Sequence, residues 1–200
     1  MSTTRHRDAK LFAAVGLFAG LAALIAILTL GDTFGYPGSA AYRTYEAFNR
    51  GMGALILLMA APLASFCLQS SPSLPQIDRG LTAILLAAWI GMAAGTAAEF
   101  WLFSDLPYSA DNLRSASFSL FSFSSLVVGL ASLALGIRLL LARQLPWTIP
   151  VVFVLILPLD VLLFIAGQSI FLAATLAAIA LSVLAFIQAG PSAVHPTTAA

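Results

Sequence analysis

Charge is scarce in this chain, and so are the side chains that most enzymes use. Of 200 residues only 8% are Asp, Glu, Lys or Arg, against about 25% in an average soluble domain. So few charges cannot cover a water-exposed surface. Lys10 is the only lysine, which removes a Schiff base inside any apolar run. The two histidines, His6 and His195, lie outside every such run, so no imidazole is placed to hold haem or a metal within one. Cys67 is the single cysteine; an internal disulfide is impossible and a thiolate cluster is not expected. It reads as an inert thiol in an apolar stretch.

Further absences remove further mechanisms. A serine nucleophile inside a membrane wants a His or Lys partner. An aspartyl dyad needs two facing carboxylates, and only Asp160 is deeply embedded in an apolar run. A phosphate loop needs a glycine-rich turn ending in lysine. None of these is present, so no catalytic residue, cofactor or metal site is expected. An acid–base pair of Glu99 and Asp160 acting on lipid would have its two groups but no motif around them. The net charge of +1 argues against nucleic acid or another acidic polymer as partner.

What the chain does have is six apolar runs, at residues 11–30, 51–68, 81–103, 116–141, 147–166 and 169–188. A hydrocarbon core about 30 Å thick takes roughly 20 helical residues to cross. Only helices or closed barrels satisfy their backbone groups there, and these runs are too long and uniform for barrel strands. The expected fold is therefore all-α: a polytopic integral membrane bundle of six transmembrane helices spanning residues 11–189. Residues 1–10 read as an N-terminal tail and 190–200 as a disordered tail. The first run is longer than the 7–15 residues of a signal peptide's apolar region and has no good cleavage site close behind it, so it is read as a retained helix.

Lysine and arginine set the orientation, because cytoplasmic loops keep positive charge. One side would hold Arg5, Arg7, Lys10, Arg79, Arg138 and Arg143; the other Arg43, Arg50 and Arg114. Both termini are then cytoplasmic, and a multi-pass location in the plasma (inner) membrane is expected. In the first outer loop, residues 31–38 read as turns. The second helix begins by Ala40, with Ser39 as its cap, which puts Glu46 and Arg50 one turn apart and able to pair. Residues 69–80 read as a plain inner connector. Only Gly167 and Gln168 separate the last two runs, so those form either a tight hairpin, the favoured reading, or a re-entrant element.

Ionisable groups within a membrane are costly and carry a functional hypothesis by default. Glu99 shares a helix face with Gly91 and Gly95, a spacing that lets another helix approach closely. Asp160 follows Pro158 by two residues, and the missing amide of Pro158 leaves the carbonyl of Val154 without its helical partner. In the fourth run Ser115, Ser119, Ser122, Ser125, Gly129, Ser132 and Gly136 follow one another at steps of three or four. Such a seam of small residues packs helices; its serine-rich outer half also suits a hydroxyl-lined cavity.

Glu99, Asp160, Ser119, Ser122, Gln168, Glu46 and Arg50 all fall in the outer half of this topology. They suggest an outward-facing polar pocket above an apolar floor, with Arg138 snorkelling to the inner surface. Two functions fit. One is binding or moving a small ligand or ion through that pocket. The other is an accessory or scaffold role, with small-residue seams docking helices of a homo-oligomer or larger membrane complex and the acids purely structural. Beyond the lipid bilayer itself, no partner is specified.

Overall fold

A computed structural model describes residues 3–30, 39–70, 74–107, 109, 111–143 and 145–188. The turns expected at 31–38 and the tail at 190–200 lie outside the described residues. Seven α-helices follow one another, with no strand among the described residues: α1 Thr3–Leu30, α2 Ala40–Met59, α3 Ala61–Ser70, α4 Gln76–Ala97, α5 Leu113–Ala142, α6 Thr148–Ile165 and α7 Leu172–Gln188. A single π-helical turn, Ala98–Leu102, continues α4. Five helical stretches are long and apolar enough to cross a membrane: Arg7–Leu30, Ala41–Cys67, Gln76–Leu102, Leu113–Ala142 and Thr148–Ile165. With 17 residues, α7 is about 25 Å long at 1.5 Å per residue. The chain is an all-α bundle of the multi-pass membrane type.

Neighbouring helices run antiparallel, as their contacts show. Ser65 Oγ on α3 donates to the carbonyl of Ala9 on α1, and Trp89 Nε1 on α4 donates to that of Ile56 on α2. Glycines bring α4 onto α5 and α5 onto α6. A Cβ on Gly95 would lie 2.6 Å from the Phe121 nitrogen and 2.8 Å from the Ser117 oxygen of α5. One on Gly136 would lie 2.8 Å from the Pro150 oxygen and from the Val154 nitrogen of α6. The hairpin between α6 and α7 closes on Gly167 at φ 68. Its amide reaches the Phe164 oxygen and the Gln168 amide reaches that of Leu163, the two bonds of a Schellman cap, which needs a left-handed residue at this position.

Three features differ from the sequence expectation. The second helix does begin at Ala40, as expected, capped by Ser39 through Oγ, which accepts from the Tyr42 amide. It breaks at Ala60, where Pro62 lacks the amide needed to continue the ladder, and Gly16 of α1 nests against the Pro62 ring. Residues 76–80 are the first turn of α4 and not part of a connector; Pro75 supplies a fixed φ at the start, and Asp78 suits the positive helix end. Finally, α1 starts at Thr3: the apolar run marks where lipid contact begins, whereas the helix extends beyond it.

Packing follows membrane rules. Trp89, Met52, Ile56, Leu63, Leu85, Leu135, Leu139 and Phe153 are buried between helices, while Phe18, Leu28, Leu141, Phe164 and Ile187 stand exposed on the outside. In water such a surface would be an aggregation liability; in lipid it is the expected face. Trp101 and Trp147 are both exposed and lie at opposite ends of the bundle, where indole rings suit the headgroup level. The bundle thus has a Trp101 end and a Trp147 end.

Candidate functional site: two polar regions at one end of the bundle

At the Trp101 end, α2, α4 and α5 are tied by two arginines. The π-turn releases carbonyls from the regular ladder, and Arg50 uses one of them: its Nε donates to the Phe100 oxygen at 2.7 Å. The same guanidinium meets Glu46 Oε1 at 2.6 Å and Ser104 Oγ at 3.3 Å. Trp101 Nε1 in turn donates to the Arg50 carbonyl. Arg114, only 2% exposed, donates through Nη1 to the Ser104 and Leu106 oxygens and through Nη2 to the Tyr42 hydroxyl. Glu99 is buried in the π-turn, one turn beyond Gly95, while Arg114 lies one turn before the Ser117 that Gly95 touches. Opposite charges thus stand at one level of the α4–α5 contact, the arrangement that a dry interior tolerates best.

A second polar region lies on α5, α6 and the hairpin that precedes α7. There a cavity of about 350 Å³ is lined by Phe118, Phe121, Ser122, Ser125, Asp160, Val161, Phe164 and Ile170. Its origin is local. Toward the Trp147 end, Gly129 and Gly136 let Leu157, Val154 and Pro150 of α6 press onto α5. Beyond Gly129 the facing residues of α5 are serines, α6 contains Pro158, and the two helices no longer close on each other. Asp160 and Ser125 also border a recess of about 10 Å³ that reaches Met92 and Ala174, room for one water at most.

The hydroxyls of α5 divide according to this geometry. Ser117 and Ser119 bond back to the Leu113 and Ser115 carbonyls of their own helix, and Ser132 to that of Gly129. Ser122, Ser125 and Asp160 make no hydrogen bond or ion pair among the described residues. They are the three polar groups that line the cavity.

The pocket read from the sequence as one unit is therefore two regions. Asp160 and Ser122 meet in the cavity. Glu46 and Arg50 instead pair with each other and bind the π-turn, Glu99 is buried on the α4–α5 side, Ser119 is exposed, and Gln168 is exposed in the hairpin. The seam divides as well. Gly129 and Gly136 contact α6, Ser132 is buried, Ser115 is half-buried, and Ser122 and Ser125 open onto the cavity. Gly91 and Gly95 meet the neighbouring stripe of α5 through Ser124, Ser117 and Phe121.

Arg138 does not simply snorkel: its Nε binds Asp78 Oδ1 at 2.5 Å, and the Asp78 side chain is only 1% exposed. Sequence reasoning missed Asp78, which sat in a presumed loop, and the part played by Arg114. A charged residue inside the first turn of a long apolar helix was the available signal for both. Among the described residues no group of three His, Cys, Asp or Glu is placed to hold a metal. Compared with family models, curated proteins and solved structures, the chain matches none.

Proposed function

We propose that this protein binds or moves a small ligand or ion in the membrane, with Asp160 as the charge-bearing group and Ser122 and Ser125 beside it. The observation that carries this reading is the convergence of three unbonded polar side chains on one cavity. A group in lipid without a partner is expensive, and a volume of about 350 Å³ falls in the range of small-molecule sites. On the lysine and arginine count, the Trp101 end faces outward from a plasma (inner) membrane and the termini are cytoplasmic, so the cavity belongs to the outer half of the bilayer.

The accessory-subunit reading draws on the small-residue seams. Those seams are filled by this chain's own helices: Gly91 and Gly95 by α5, Gly129 and Gly136 by α6, Gly16 and Gly20 by α3 and α7. Being used inside the fold, these seams leave less for a partner helix to dock on, which favours the ligand reading.

Cysteine accessibility tests it. With Cys67→Ala as background, a cysteine replacing Ser122 is expected to react with a small thiol reagent added to the protein in liposomes, while one replacing Ser132 stays protected. Protection at both positions would remove the open cavity and this function with it.

A further inference from the structure

We infer that the Asp160 cavity is a side-entry site for an amphiphile carrying one protonated amine. This rests on the ligand-handling reading above and names the class of ligand. The cavity opens toward lipid. Phe118, Val161, Phe164 and Ile170 on its walls are 50%, 48%, 70% and 40% exposed. In a bundle surrounded by hydrocarbon these are lipid-facing residues, so the mouth opens sideways into the bilayer. An occupant arriving by that route carries an apolar body, and the aromatic and branched walls receive it.

Charge selects the head group. Asp160 lies five residues before the end of α6 at Ile165, about 7.5 Å below it at 1.5 Å per residue. The head of an amphiphile anchored near the interface reaches that depth. No lysine, arginine or histidine lines the cavity, so the positive partner of an ionised carboxylate has to come from the occupant. A protonated amine supplies it together with up to three donors. Asp160 accepts one, and the hydroxyls of Ser122 and Ser125, not bonded back to their own helix, accept the others. A bare metal ion fits poorly, since hard cations take six or more oxygens and this site presents one carboxylate and two hydroxyls. An anionic head would meet Asp160 with repulsion.

The test is photolabelling of the full-length protein in phosphatidylcholine nanodiscs, a lipid whose quaternary head donates no hydrogen bond. The probe is a long-chain primary alkylamine with a diazirine in the chain and an alkyne tag. Labelling is expected on peptides containing Phe118, Phe164 or Ile170. Dodecylamine should compete, while dodecanoate, dodecanol and the short water-soluble butylamine should not. Asp160→Asn should lower labelling about tenfold, as expected when one charge-assisted hydrogen bond is lost. Ser122→Phe, which fills the mouth and keeps the carboxylate, should abolish labelling and serves if Asp160→Asn does not fold. Glu46→Gln, in the other polar region, should leave labelling unchanged.

Equal competition by dodecanol or dodecanoate would overturn the amine class. So would labelling indifferent to both cavity variants. If that happens while the cysteine replacing Ser122 still reacts, the open site stands and only the ligand class falls; if that cysteine is protected, the site itself falls.

Discussion

Two clusters of polar side chains share the Trp101 end of this bundle, one centred on two arginines and the other on a single aspartate, and they are wired in opposite ways. Around Arg50 and Arg114, side chains from α2, α4 and α5 bind backbone oxygens and one another. Around Asp160, a carboxylate and two hydroxyls from α5 and α6 face a cavity without a hydrogen bond among the described residues. The sum of charge is no guide to which region acts on a ligand. A polar group already bonded within the fold holds the fold; one held at cost and left unbonded is available to something else.

The sharpest way to break the comparison is to remove Arg114. Arg114→Leu deletes three hydrogen bonds from a buried guanidinium and is expected to cost about 3–5 kcal/mol, read as loss of the folded population in denaturant titration in mixed micelles. Arg114→Lys should recover only part of this, because an ammonium lacks the planar fork. Next in size is Gly95→Ala, whose new Cβ meets α5 backbone with nowhere to move. A cost of about 1–3 kcal/mol is expected there. Gly51→Ala has open space around it and should be neutral or stabilising by under ~1 kcal/mol.

Asp160 should behave with the opposite sign. Asp160→Leu removes an unbonded carboxylate from the lipid region and is expected to raise stability by about 1 kcal/mol, while ligand binding is lost. A destabilisation as large as that of Arg114→Leu would place Asp160 with the structural group. The smallest effect is Ser122→Ala, expected within about 0.5 kcal/mol in stability, with binding weakened severalfold.

How much of this was legible in the sequence follows from the distance between partners. The Ser39 cap, the Glu46–Arg50 pair and the Gly167 hairpin each depend on residues within a few positions, and turn and helix rules find them. The all-α membrane class follows from run length alone. The Arg114–Tyr42 bond spans 72 residues and the Arg138–Asp78 bond 60, so no local pattern announces either. The π-turn at 98–102 is likewise set by tertiary contacts, with Arg50 holding the Phe100 carbonyl. The division of the serine seam was unreadable for a related reason. Steps of three and four put seven residues on one side of α5, but where α6 closes on them and where it leaves them depends on both helices together.

One measurement bears most directly on the claim that the unbonded groups, and not the bonded ones, serve a ligand. It is native mass spectrometry of the protein gently extracted from its own membranes, as wild type, Asp160→Asn and Glu46→Gln. A reproducible extra mass is expected on the wild type and on Glu46→Gln and is expected to be missing from correctly folded Asp160→Asn. The same spectrum from Asp160→Asn and wild type, or an extra mass lost only from Glu46→Gln, would contradict it.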